Sequence, residues 1–112
     1  MRIGVPRGSG YAMGPGKADL LEAIHATGSI SAAGRTLGMS YRRAWLLVDE
    51  MNHSFTGPLV EAHLGGAGGG GAKVTELGQE ALRRYRELQD VAWVAVRKTY
   101  LDYCHLLKPE QP

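Results

Sequence analysis

Most of this chain repeats its apolar residues every three or four positions. From Lys17 onward Leu20, Leu21 and Ile24, with Ala23, share one face, and Gly28 stands where a helix C-cap belongs. A shorter pattern through Ala32, Ala33 and Leu37 follows Ser31, read as its N-cap, and stops at Gly38. Ser40 is placed to cap a third helix with Ala44, Val48 and Met51 as its inward stripe, joined by Leu47. The period then changes to two. In "LVEAHL", Leu59, Glu61 and His63 alternate with Val60, Ala62 and Leu64, and "AKVT" reads as a returning strand. A short strand is also predicted at 2–5 ("RIGV"), ahead of the turn-rich "PRGSGYAMGPG". From Thr75, a further cap, the helical period resumes through Leu77, Ala81, Tyr85, Leu88, Ala92, Ala95, Thr99, Tyr103 and Leu106.

Two short helices joined by a glycine-containing turn form a helix-turn-helix, whose second helix enters a DNA major groove; an ordinary helical hairpin with a polar face fits the local pattern equally well. A hairpin directly after it makes a winged helix. The expected fold is therefore mainly α with a small β-hairpin. It comprises a winged helix-turn-helix over 1–74 (helix-turn-helix 29–53, wing 59–74), a long helix over 75–108 and a tail at 109–112. In "VAWVAV" (91–96) apolar residues surround the helix, so it needs cover on more than one side. A second copy of the chain is the expected cover, through Leu88, Ala92, Ala95, Val96, Thr99 and Tyr103. The alternative is a monomer whose helix folds back across its own core.

Charge sharpens the picture locally rather than globally. The net charge of the 112 residues is only +2, yet from Ser29 to Leu47 the chain carries Arg35, Arg42 and Arg43 and no acid. A basic face on a nearly balanced protein suits a DNA reader; a solvated surface is the plainer reading. Tyr41, Arg42 and Arg43 occupy the first turn of the second helix, the end that reaches base edges, with Trp45 on the same outward side. The hydroxyls of Ser29, Ser31 and Ser40 suit phosphate oxygens, and Lys73 adds a cation beside the wing.

Six glycines fall within seven positions in "GGAGGGG". A phosphate-binding P-loop would need Gly-Lys-Ser/Thr, but the chain reads Gly71-Ala72-Lys73-Val74-Thr75. The preceding elements are not the βαβ unit of a dinucleotide site. A slack linker is one reading. A wing tip fits better, with the side-chain-free backbone of Gly68, Gly69 and Gly70 against a groove wall.

No catalytic or metal constellation emerges. The four histidines are scattered, and Cys104, the single cysteine, excludes an intrachain disulfide and a multi-thiolate zinc site while suiting a reducing cytoplasm. The expected protein is not an enzyme, holds no cofactor or metal, and has neither a secretory signal nor an apolar run of the ~18 residues that would cross a membrane.

The stretches "GSISAAGRTLGMSYRRAW" (28–45), "DEMN" (49–52) and "LVEAHLGGAGGGGAKVTELGQ" (59–79) together resemble the N-terminal DNA-binding domain of the ModE family, the molybdate-responsive transcriptional regulators of bacteria. The first stretch is also similar to the helix-turn-helix of LysR-type regulators. Ser-Tyr-x-x-Ala-Trp followed by a glycine-rich wing is more particular to the ModE type. The resemblance spans roughly residues 17–90. It implies a recognition helix beginning at Ser40, a wing at 65–71, and a homodimer that binds a palindromic operator and dimerises partly through the helix after the wing. Many members of the family carry a cation in the glycine run, where this chain has Ala67. Full-length members continue into oxyanion-binding domains beyond the point where this chain stops. Direct molybdate or tungstate binding is accordingly not expected, whereas control of molybdenum-related genes is compatible with the resemblance. The alternative function is a dimeric protein-interaction adaptor whose winged helix no longer reads DNA.

Overall fold

A computed structural model describes residues 2–63 and 71–110. In chain order the elements are β1 (Val5–Arg7), β2 (Gly10–Met13), α1 (Pro15–Thr27), α2 (Ile30–Thr36), α3 (Tyr41–Ser54), β3 (Val60–His63), β4 (Gly71–Val74) and α4 (Glu76–Cys104). This is a mainly helical winged helix followed by a long helix.

The helix ends follow local chemistry. Ser40 Oγ accepts the Arg43 amide and Thr75 Oγ1 accepts the Gly78 amide, so both caps expected from the sequence are in place. Gly28 closes α1 in the left-handed conformation, φ 70°, donating to the Ile24 carbonyl at 2.7 Å. The cap of α2 differs from expectation. Ser29, rather than Ser31, accepts the Ala32 amide, because the helix begins two residues earlier so that Ile30 can enter the core.

One hydrophobic core gathers Leu20, Leu21 and Ile24 of α1, Ile30 and Ala33 of α2, Ala44, Leu47, Val48 and Met51 of α3, and Leu59, Val60 and Val74. The inward stripe expected for α3 is thus buried in full. The crossing of α2 and α3 is tight where a Cβ on Gly34 would stand 3.1 Å from that of Ala44. Strands β3 and β4 pair antiparallel, Val60 with Val74 through His63 with Gly71. The expected alternation along 59–64 fails at its start, since Leu59 and Val60 are both buried while Glu61, Ala62 and His63 are exposed. Asn52 explains this: its Oδ1 accepts the amides of Leu59 and Val60 (2.9 and 3.1 Å) and its Nδ2 donates to the Val60 carbonyl. The chain is turned there, with both apolar side chains inside.

A second hairpin, β1–β2, corrects the strand expected at 2–5. Its first strand lies at 5–7 and its second falls within the stretch read as turn. Buried Lys17 anchors it. Its Nζ donates to the Tyr11 carbonyl at 2.6 Å and pairs with Glu50 of α3 at 3.0 Å, so the charge enters the interior already compensated.

Helix α4 ends at Cys104, slightly before the expected Leu106, and does not fold back across the core as a whole. Its 29 residues make a rod of about 43 Å at 1.5 Å per residue. The radius of gyration is 17.1 Å, against about 13 Å for a compact chain of this length. The rod therefore projects. Among the described residues, no helix is long and apolar enough to cross a membrane.

Candidate nucleic-acid interface

Helix α3 is held by its buried stripe, which leaves Tyr41, Arg42, Arg43, Trp45 and Leu46 outside. Tyr41 and Trp45, one turn apart, meet edge to face with ring centroids 6.1 Å apart, so each restricts the other's rotamers. The wing base is brought beside them by one backbone bond, from the Ala72 amide of β4 to the Gly28 carbonyl, 2.8 Å. Gly71 lies so close that a Cβ there would stand 3.4 Å from the same carbonyl. Between the two elements lies a groove of about 290 Å³, lined by Ser29, Ser31, Tyr41, Trp45, His63 and the backbone of β4.

The structure thus brings together Ser29, Ser31, Tyr41 and Trp45 around a single concave surface. The hydroxyls of Ser29 and Ser31 are 3.2 Å apart. Ser40, Arg42 and Arg43 are exposed at the start of α3, and Arg35 is exposed in the last turn of α2. Lys73 is exposed on β4, directly across the ladder from Glu61. Gly68, Gly69 and Gly70 lie outside the described residues. His63 was not singled out as a groove residue from the sequence. The signal was available in the strand register, which fixes it at the end of β3 beside the glycine run.

The ion pairs of the described residues lie elsewhere, and Arg2, Arg7, Lys73, Arg97 and Lys108 share with this face the lack of one. Arg83 and Arg84 pair with Glu80, Arg86 with Asp19 and Glu22, and Lys98 with Asp102. Arg35, Arg42 and Arg43 have no ion-pair partner among the described residues. The acids of α3 lie in its second half, where Asp49 meets His53 and Glu50 meets Lys17. Exposed cations on the first turn of α3, on the same helix as the Tyr41 and Trp45 that line the wing-side groove, are of the charge a polyanionic duplex attracts. No group of three or more His, Cys, Asp or Glu that could hold a metal ion occurs among the described residues.

The fold is that of a winged helix followed by a long helix. The chain is 43% identical over 81 residues to the molybdenum-pterin-binding protein MopB of Rhodobacter capsulatus, covering 72% of this chain and 30% of that protein. It is 46% identical over 70 residues to the molybdenum transport protein ModE of Herbaspirillum seropedicae, covering 62% of the chain and 26% of the relative. With the DNA-binding transcriptional dual regulator ModE of Escherichia coli it shares 40% identity over 77 residues, 69% of the chain and 29% of that protein. No family model matches the chain. It is ModE-like, similar to these proteins over most of its own length while spanning under a third of theirs.

Proposed function

We propose that this protein is a sequence-specific double-stranded DNA-binding regulator that acts as a homodimer on a palindromic operator. Residues 1–74 read the duplex and residues 75–108 dimerise. The observation that carries this reading is the unpaired Tyr41–Arg42–Arg43 turn of α3, beside a wing base tied to the helix-turn-helix through Ala72 and Gly28. Arg42 and Arg43 contact base edges from the major groove, and Ser29, Ser31 and Ser40 hold phosphates. The distal part of α4 exposes Leu88, Ala95, Val96, Thr99 and Tyr103, a seam that a second copy covers while placing two recognition helices on successive turns of DNA. The relatives' names describe regulators and binding proteins rather than enzymes, and they make molybdenum-related genes the first operators to try.

Fluorescence anisotropy tests this directly, using the DNA upstream of the protein's own gene against a scrambled duplex at two salt concentrations, with and without molybdate. Preference for the upstream duplex, unchanged by molybdate, is expected. Arg42→Ala should lose about 1–3 kcal/mol on that duplex, the worth of one bidentate base contact, with little change on the scrambled one. Equal losses on both would remove Arg42 from base reading. Absence of preference at either salt would favour a winged-helix adaptor that binds another protein.

A further inference from the structure

The N-terminal hairpin does not pack flush against α3. A cleft of about 560 Å³ separates them, within the range of small-molecule sites. Its floor is apolar, with Ile3, Tyr11 and Met39 presenting surface above the buried Met13 and Leu47. Gly10, Gly14 and Gly16 line one wall. None of the three has a positive φ, so backbone geometry does not call for glycine. A Cβ on any of them would meet no heavy atom within 4 Å. Side chains at these positions would have room to grow, and their absence keeps the cleft open.

The charges at the cleft are unequal. Lys17 is neutralised by Glu50 at 3.0 Å, whereas the guanidinium groups of Arg2 and Arg43, which also line the cleft, have no acid partner among the described residues. We propose that this cleft binds a small amphipathic anion, an organic acid whose apolar body lies on Ile3, Tyr11 and Met39 and whose carboxylate meets Arg2 and Arg43. Inorganic anions could satisfy the arginines but would leave the apolar floor wet. A neutral or cationic body would leave two guanidinium charges unanswered.

Arg43 belongs to the first turn of α3 and already lines the cleft, so an acid there holds its side chain on that side and withholds it from a bound duplex. The ligand site stands independently of the DNA-binding proposal, and only this consequence rests on it. Occupancy then lowers operator affinity, making the cleft an effector site within the reading domain itself.

The test uses the full chain labelled with 15N and titrated with naphthalene-1-carboxylate, followed by amide correlation spectra. The amide peaks of Gly10, Gly14 and Gly16 should move saturably. Inorganic phosphate and 1-naphthylmethylamine at the same concentration and ionic strength should leave them in place. Gly14→Leu and Gly16→Leu should each raise the naphthoate Kd at least tenfold, and Arg43→Gln should weaken it several-fold without altering the fold. Shifts confined to the exposed apolar residues of α4, equal shifts with phosphate, or undiminished binding in all three variants would overturn the site. In anisotropy, saturating naphthoate should weaken operator binding at least fivefold in the wild type and not in Gly16→Leu; an unmoved operator affinity would overturn the regulatory consequence. If the ligand-free protein bound no operator, the function proposed above would fall, while the glycine peaks would still decide the site.

Discussion

From Glu76 to Arg86 the long helix α4 lies against the rest of the domain; from Glu87 to Cys104 it leaves it. In the first part Gly78 and Tyr85 are buried, with Leu77, Ala81 and Leu82 packed on the core. The Tyr85 hydroxyl donates to the Ile3 carbonyl at 2.6 Å, and Arg86 reaches Glu22 and Asp19 of α1 at 2.7 and 2.9 Å. In the second part no residue is buried, and Val94 is 76% exposed. Both parts carry the same apolar period. The difference teaches that periodicity reports a need for cover and leaves open who supplies it. Cover comes from the chain's own domain in the first part, and we assign it to a second copy in the next.

The sharpest test of the packed part is Gly78. A Cβ there would collide with the Leu59 carbonyl and stand 2.7 Å from Val74, so the helix could not keep its approach to the wing. Gly78→Val should destabilise the fold by about 3 kcal/mol, as overpacking of a rigid site does, measured by urea denaturation. A loss under about 1 kcal/mol would mean that α4 is not held as closely as its proximal part indicates.

For the distal part the expected effect is on association rather than on folding. Val96→Glu places a charge in the proposed seam, and burying it unpaired is unfavourable. Sedimentation equilibrium should show at least a tenfold weaker dimer, on the order of 1.4 kcal/mol, with helical circular dichroism unchanged in the dilute protein. An unchanged dimer would move the interface off the Leu88–Tyr103 stripe.

The smallest effect belongs to Tyr85→Phe, which removes one hydrogen bond and should cost about 1 kcal/mol. It also carries a pH signature. Burial raises the Tyr85 phenol above its ordinary value, more than the Ile3 hydrogen bond and the nearby Arg86 charge lower it. The unfolded chain therefore releases this proton first, near pH 10, and the associated stability is present below that pH and lost as pH rises toward the folded value. Urea melts at pH 8 and pH 11 should show a smaller loss in Tyr85→Phe than in the wild type. Equal losses would show that the phenol is not shielded.

Much of the fold was legible because its signals are local. Ser40, Thr75 and Gly28 each sit next to the backbone groups they satisfy, and the stripe Ala44–Val48–Met51 needs only a helix and one apolar side. The outward first turn of α3 followed from the same stripe by exclusion. Less was legible at the N-terminus. There the two strands of "VPRGSGYAM" are short and glycine-rich, and what holds them is distant: Glu50 through Lys17, and Tyr85 through Ile3. The groove was half legible. Its helix side could be read off, but His63 entered only once the β3–β4 register was known.

By itself, the sequence determined the helices, the caps at Gly28, Ser40 and Thr75, the order helix-turn-helix, wing and long helix, and the basic, acid-free stretch from Ser29 to Leu47. Each of these is written in residues within a few positions of one another. Tertiary structure alone decided which serine starts α2, that Leu59 and Val60 both point inward, that the wing base is tied to Gly28, and where α4 parts from the core. Those outcomes depend on which distant surface reaches a residue first: Ile30 needing the core, the Asn52 amide needing backbone partners, and a rod longer than the domain it leans on. Such competitions are settled by three-dimensional proximity, for which local spacing carries no code.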